Sequence, residues 1–437
     1  MNNKERDEKF LKSWLKKKIS ITTSTVVSFL ITGAIGGGAA YGAGNKAGTG
    51  GNNNSVAWGQ GSSVDNDSVA VGANASAVSA SGGNNPTVTS KGVAIGNNAK
   101  AEGSVSIGDS ASSTHFGVAV GYKAGVQNTT TGASFSNVTI GANTRVGVQG
   151  TQAAQGIAIG SGIQAHEGAW AKGDQSISIG ANTTASGDSS IAIGGDDLLS
   201  VSAKTSSYSD AKFDKNGNKI GGNSNNTASI NNIFNTLTGR GAILHQGTGT
   251  DGKFYTAWRN TESGQGGVAL GVKSISGDIA LAIGTFSEAT GTNSVAIGTG
   301  AQTPQSGAVA IGGGSTTYGL QGRQITDADI TLTDGTTMAL TNFAGASGVL
   351  EGSMVSFGKA GNERQLKHIA PGEVSATSTD GINGSQLFAV AKKLGDDISK
   401  FKYVSIKSND AGNKLNDGAT ANNAIAIGPN ASTKVES

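Results

Sequence analysis

Residues able to make or break bonds are scarce in this 437-residue chain, and their spacing is wrong for most known chemistries. The four histidines, His115, His166, His245 and His368, never come close enough in sequence to suggest a zinc pair, and there is no cysteine to supply a thiolate. "GGDD" at 194–197 has the composition of a calcium-binding roll, but no nonapeptide period surrounds it, so it reads as a turn. "DKNGNK" from Asp214 starts like an EF-hand loop, but the later bidentate glutamate and the flanking helices are missing, which leaves a hairpin turn. No GxSxG elbow or phosphate-binding loop is present. A glycan-degrading fibre would need paired carboxylates in a groove, and the Ser/Ala/Asn-rich sequence does not provide them. The expectation is a protein with no catalytic residue, no metal and no cofactor.

What the chain does concentrate is recognition chemistry. Residues 196–265 gather Tyr208, Phe213, Phe234, Phe254, Tyr255 and Trp258 with Arg240, His245 and Arg259. Tyr, Trp and Arg are the favoured anchors of interfaces, and loops on rigid scaffolds often carry them. Tyr208, His245, Phe254, Tyr255, Trp258 and Arg259 are therefore the candidate partner-binding residues. For Tyr255, Trp258 and Arg259 a small local core is an equal alternative. "ASINNIFNTLTG" predicts a short amphipathic helix through Ile230, Ile233, Phe234 and Leu237, with Phe234 and Leu237 assigned to a core. Tyr122 and Trp170 are expected at turns, as weak surface candidates.

A repeat must position this region. "SVAIG", ending at Gly298, recurs in variants whose closing glycines fall at 59, 72, 96, 108, 121, 141, 160, 180, 194, 271, 284, 298, 312 and 428. The basic interval is 12 to 14 residues, enough for a short strand, a turn, a second strand and another turn. Within the unit Val295 and Ile297 face one way, Ser294 and Ala296 the other. The small side suits the interior of a flat two-layered roll, and the branched side needs a second surface that copies of the same chain could supply. Gly72, Gly96, Gly108, Gly180, Gly194 and Gly298 are expected at corners where φ must be positive. Fourteen stacked coils would make a rod on the order of 65 Å long.

Composition agrees. There are 70 glycines but only 4 prolines, and charged residues make up 14%. This is neither a charged disordered chain nor, lacking a G-X-Y period, a collagen. Seven of the basic residues lie in the first 18, and the remainder holds 25 basic and 27 acidic residues, which excludes a basic nucleic-acid footprint. The basic lead, the apolar stretch 19–35 and the small residues "GGGAAYGAG" read as an export signal cleaved after Gly42 or Gly44, the alternative being a retained membrane anchor.

With the repeat in place, a family resemblance follows. The "SVAIG" array from about 52 to 320 resembles the head of a YadA-like trimeric autotransporter adhesin. "RQLKHIAPGEVSATSTDGINGSQL", 364–387, resembles the family's neck. The resemblance implies an all-β, left-handed parallel β-roll or solenoid head in a homotrimer, followed by a neck and a short coiled-coil helix. The implied division is a signal peptide at 1–44, head repeats at 45–195 and 266–320 around an insertion at 196–265, a pre-neck β segment at 321–362, neck and short helix at 363–394, and a second head-like segment from 395 to 437. Ser385 is expected to cap the helix, Leu387, Val390, Ala391 and Leu394 to form its stripe, and "GDDISKF" to end it. The resemblance further implies a place on the cell surface of a Gram-negative bacterium, held in the outer membrane by a C-terminal barrel that does not appear before Ser437. Partners would be the chain itself and a host receptor, such as a carcinoembryonic-antigen-related adhesion molecule, or an extracellular matrix protein. The alternative is a spacer or self-association protein with no host ligand of its own.

Overall fold

The computed structural model describes residues 55–65, 67–82, 85–126, 136–148, 154–164, 167–241, 260–333, 335–399, 425–427 and 431–432. The export signal, the second head-like segment apart from ten of its residues, and residues 127–135 lie outside them. The chain divides into two units. One comprises residues 1–324 with 349–364, the other 325–348 with 365–437.

The first unit is a parallel β-roll. Its first sheet has 14 strands, from Val56–Trp58 to Val355–Ser356, and its second has 11, from Ser63–Val64 to Glu288–Ala289. Successive coils pair in register, as Val69 with Val93, Ala70 with Ala94 and Val71 with Ile95. The middle residue of each first-sheet strand points inward, and Ala70, Ala94, Ala119, Ala158, Ala192, Ala269, Ala282, Ala296 and Ala310 are all fully buried. Ala77, Ala171, Ala185 and Ala289 of the second sheet are equally buried opposite them. Where serine or threonine replaces alanine, hydroxyls pair across the gap, as Ser106 with Ser113 at 2.7 Å and Ser178 with Thr183 at 2.8 Å. At these pairs the buried donors are satisfied at no cost in width, whereas the Ser263 and Ser276 hydroxyls of the second sheet are buried with no partner among the described residues.

The outer residues of the first-sheet strands stack into two apolar ladders running through Val295 and Ile297. They are half-buried rather than buried: Ile95 is 39% exposed and Ile140 40%. The expected second covering surface is not supplied by the roll itself.

The corners behave as the spacing predicts at most positions. Gly72, Gly96, Gly108, Gly180 and Gly298 have φ of 135°, 133°, 132°, 121° and 129°. Gly194 differs, because φ there is outside the positive range. It is required by a close approach instead, since a Cβ would sit 2.6 Å from Thr261 Oγ1. The roll also runs past the expected end at 320. Strand Val355–Ser356 pairs with Val309–Ile311, and Arg364 donates to Ser315 Oγ and to the carbonyl oxygens of Phe357 and Gly313. The first arginine of the neck signature thus fastens the last coil.

In the second unit, Asp327–Thr331 and Thr337–Thr341 form an antiparallel hairpin, and the helix spans Gly384–Ile398. The expectations for this helix need two corrections. Its cap is Asn383, whose side chain accepts from the Ser385 and Gln386 amides while Gln386 Oε1 accepts from the Asn383 amide. Ser385 is two positions too late for that role. "GDDI" also continues the helix, because Lys392 pairs with Asp396 at 2.8 Å and Lys393 with Asp397 one turn on, so the helix runs four residues beyond 394. Leu387, Val390, Leu394 and Ile398 lie exposed along it.

Gly298→Val tests the corners. A Cβ at Gly298 would lie 2.5 Å from Gly312 C and 2.7 Å from its O. The loss should exceed the ~1–3 kcal/mol of backbone strain alone, because the next coil must also move. A urea midpoint unchanged within error would refute the corner geometry.

Candidate functional site

The insertion departs from the roll after Ile191–Ile193 and returns at Thr261–Ser263. It begins with a one-turn helix, α1, Leu199–Ser202. Strand Thr205–Tyr208 follows, pairing antiparallel with Asn226–Ser229, and between them projects a smaller hairpin of Lys212–Phe213 and Lys219–Gly221. Helix α2, Ile230–Thr238, comes next. Ser229 caps it by accepting from the Asn232 amide, and Gly239 ends it at φ 64°.

Helix α2 is fastened across the corners of the roll. Phe234 is buried against Phe286, with ring centroids 5.9 Å apart, and Leu198 joins them. Leu237, assigned to the core with Phe234, is instead 48% exposed, because only one narrow stripe of the helix meets the roll. Phe286 sits with φ 61° at a corner where other coils carry Asn74, Asn98, Ser110 or Asn182. The next two corners are Gly300 and Gly314. A Cβ at Gly300 would come within 3.2 Å of the Phe234 ring, and one at Gly314 within 2.5 Å of Thr238 Cα. Three successive corners are therefore shaped to receive one helix.

Polar contacts complete the attachment. Arg240 Nη2 reaches Glu288 Oε2 at 2.8 Å and Nη1 donates to the Phe286 carbonyl at 3.0 Å, with Arg240 Cζ 5.1 Å from the Phe286 ring centroid. Gln302 Nε2 donates to the same Glu288 oxygen at 2.6 Å. At the start of the insertion Asp196 is buried and accepts from Asn182 Nδ2 at 2.8 Å, and Lys273 is fully buried on the following coil. Burial pushes the Asp196 carboxyl above the ordinary carboxylate range, and Asp197 adds to this while Asn182 and Lys273 oppose it.

Of the candidate partner-binding residues, only Tyr208 falls among the described ones. It is half-buried, opposite Asn226 in the strand pair. His245, Phe254, Tyr255, Trp258 and Arg259 lie outside them. The described residues that project from the insertion are Phe213 and Ile220, both exposed. "DKNGNK" is the turn beside them: the Asp214 carboxylate accepts from the Asn216 and Asn218 amides, each at 2.8 Å, and from Asn218 Nδ2. Sequence reasoning missed Phe286, Arg240 and Glu288 as the seat of the insertion. The signal was available in the corner position, where Asn and Ser give way to Phe, Gly and Gly in successive repeats.

Trp170 is not at a turn. It lies in strand Trp170–Ala171 of the second sheet, and its Nε1 donates to the Gly147 carbonyl at 2.8 Å. Tyr122 does occupy a corner, exposed, with Lys123 Nζ 5.0 Å from its ring. No group of three or more His, Asp or Glu that could hold a metal occurs among the described residues.

Comparison with known proteins places the repeat. Residues 171–196, 276–301, 289–315 and 419–434 match the family model of the YadA head domain repeat. No curated protein matches the chain. Among solved structures, the C-terminal YadA-like domain of BPSL2063 from Burkholderia pseudomallei is 22% identical, covering 45% of this chain and 70% of its own, with a TM-score of 0.20.

The Asp214 turn has a pH signature. Hydrogen bonds from the Asn218 amide, the Asn218 side chain and the Asn216 amide hold its carboxyl below the ordinary 3.8. Its support of the hairpin is fully present above that ordinary value and is lost as pH falls through the lowered folded value. A carboxyl-carbon NMR titration should therefore give a midpoint below 3.8 for Asp214, and Asp214→Ala should broaden the hairpin amides while the roll melts unchanged.

Proposed function

We propose, from the match of residues 171–196 and 276–315 of the roll to the YadA head domain repeat, that the chain is the head and neck region of a trimeric autotransporter adhesin, exposed on a Gram-negative cell surface and attaching the bacterium to host cells. The observation that carries the trimer is the paired ladder of half-exposed Val, Ile and Leu side chains along the first sheet. A continuous apolar face of this kind is the mark of an interface, and a self-complementary rod is satisfied by copies of itself. The exposed stripe of the Gly384–Ile398 helix, α3, is of the same character and suits a short coiled coil.

Host recognition is assigned to the insertion between Asp196 and Gln265. It is seated on the roll through Phe234, Phe286, Arg240 and Glu288, so it presents its outer hairpin from a fixed base. A receptor of the adhesion-molecule class or an extracellular matrix protein is the partner, and three copies per head would convert modest contacts into firm attachment. Under the alternative reading the head is a spacer that clumps cells without a ligand of its own.

Two measurements test these assignments. Light scattering of the purified chain should give three times the 43.2 kDa chain mass, and Ile297→Asp should dissociate it. A folded monomer in the unaltered chain would reject the trimer. Replacing 197–264 with a short turn should preserve assembly but reduce binding to host cells, whereas full attachment by a correctly assembled deletion protein would reject the insertion as the recognition site.

A further inference from the structure

The outward face of the second sheet carries a cluster that the insertion reading does not use. Arg145 and Trp170 lie in register on adjacent strands, while Val146 and Ala171 beside them are fully buried inside the roll. Arg145, Trp170 and, two residues after Trp170, Lys172 therefore project from one face. The indole is fixed by its hydrogen bond to the Gly147 carbonyl. Arg145 Cζ stands 4.0 Å from its ring centroid and Lys172 Nζ 4.4 Å, so one tryptophan orders two cations.

Among the described residues no carboxylate pairs with Arg145 or Lys172. Arg145 Nε is buried and has no acceptor. The next acid on this face, Glu262, lies two strands beyond Trp170, and its Oε1 accepts from Ser186 at 2.6 Å. Two ordered, partly desolvated positive charges without a counter-charge are costly unless an anion visits them. Burial also draws the Arg145 guanidinium below its ordinary value, in keeping with the missing partner.

The surroundings narrow the class of anion. The rungs beside the cluster are Ser112 and Gly125 on one side and Thr184 on the other. Those rungs carry no aliphatic side chain. An acidic protein segment would look there for an apolar anchor and find only the indole, whose ring is already occupied by the cations. A hydrated polymer with anionic groups on sugar rings needs only the charges and a smooth floor.

We propose that Arg145, Trp170 and Lys172 form a binding site for an acidic polysaccharide, the guanidinium and ammonium groups jointly holding a sulfate or carboxylate. The site is separate from the insertion and does not depend on its role.

The test uses the full chain, with immobilised heparin as the sulfated probe, hyaluronan as the carboxylated one and polyglutamate as the acidic polypeptide. The unaltered chain should bind at least one polysaccharide, more weakly as salt rises. Arg145→Gln with Lys172→Gln should weaken that binding about tenfold or more, as expected for lost charge-assisted hydrogen bonds. Lys367→Gln, a single charge change at an exposed lysine outside both the roll and the insertion, should leave it unchanged. Circular dichroism and melting temperature report folding, and if the double variant is unstable Lys172→Gln alone decides. Preference for heparin identifies sulfate as the ligand group, and equal binding of hyaluronan identifies carboxylate; both support the site. Binding of neither polysaccharide, equal capture by polyglutamate, undiminished binding by the folded variant, or an equal loss in Lys367→Gln would each overturn it.

Discussion

The narrowness of the gap between the two sheets governs this structure. Every inward position of the first-sheet strands is alanine, serine or threonine, and facing hydroxyls such as Ser106 and Ser113 approach to 2.7 Å. A space this thin cannot receive the chain's own valines and isoleucines. They are therefore forced to the outside, although burial of each would stabilise the fold by roughly 1.5–3 kcal/mol. The core holds the coils in register, but most of the branched hydrophobic surface is left for something else to cover. The fold and its exposed apolar face thus follow from one restriction on side-chain volume.

The same restriction explains how the chain accommodates an insertion of about seventy residues. A roll whose corners are occupied by small or polar side chains offers no socket. Along one stretch the corners change to Phe286, Gly300 and Gly314, and the surface becomes a ring followed by two shallow notches. Helix α2 fills them with Phe234 and Thr238, and Arg240 bridges to Glu288. The insertion is consequently an extension of the scaffold at its base, and only its outer hairpin is free to vary in chemistry.

Much of this was legible in the sequence, because the repeat obeys two simple rules. Alternation in "SVAIG" gives the faces, and the glycine interval gives the coil. The rules failed where a residue depends on a neighbour remote in sequence. Gly194 looks like every other corner glycine, yet its φ is not positive and it is required by the close approach of Gly271 O and Thr261 Oγ1, both beyond the insertion. Trp170 reads as a turn residue until pairing with the Arg145 strand places it in a sheet. Leu237 has the right spacing for a core, but the socket is only one residue wide at that point. The Gly384–Ile398 helix outlasted its glycine because two i,i+4 ion pairs hold its final turns, a local signal that the glycine at 395 obscured. Five of the six aromatic, histidine and arginine candidates lie in residues the structure does not describe, so sequence remains their only basis.

The orientation of the backbone hydrogen bonds has a mechanical consequence. Each strand-pairing bond of the roll joins one coil to the next, so these bonds point along the stack. Tension applied in that direction loads the coils in series, each rung carrying the full force, and the weakest coil sets the limit for the whole array. Helix α2 alters this locally. Lying across the corners at 286, 300 and 314, it carries load beside the rungs rather than through them. The insertion is thus a splint as well as a platform, and the coils it spans are the ones best protected from being peeled apart.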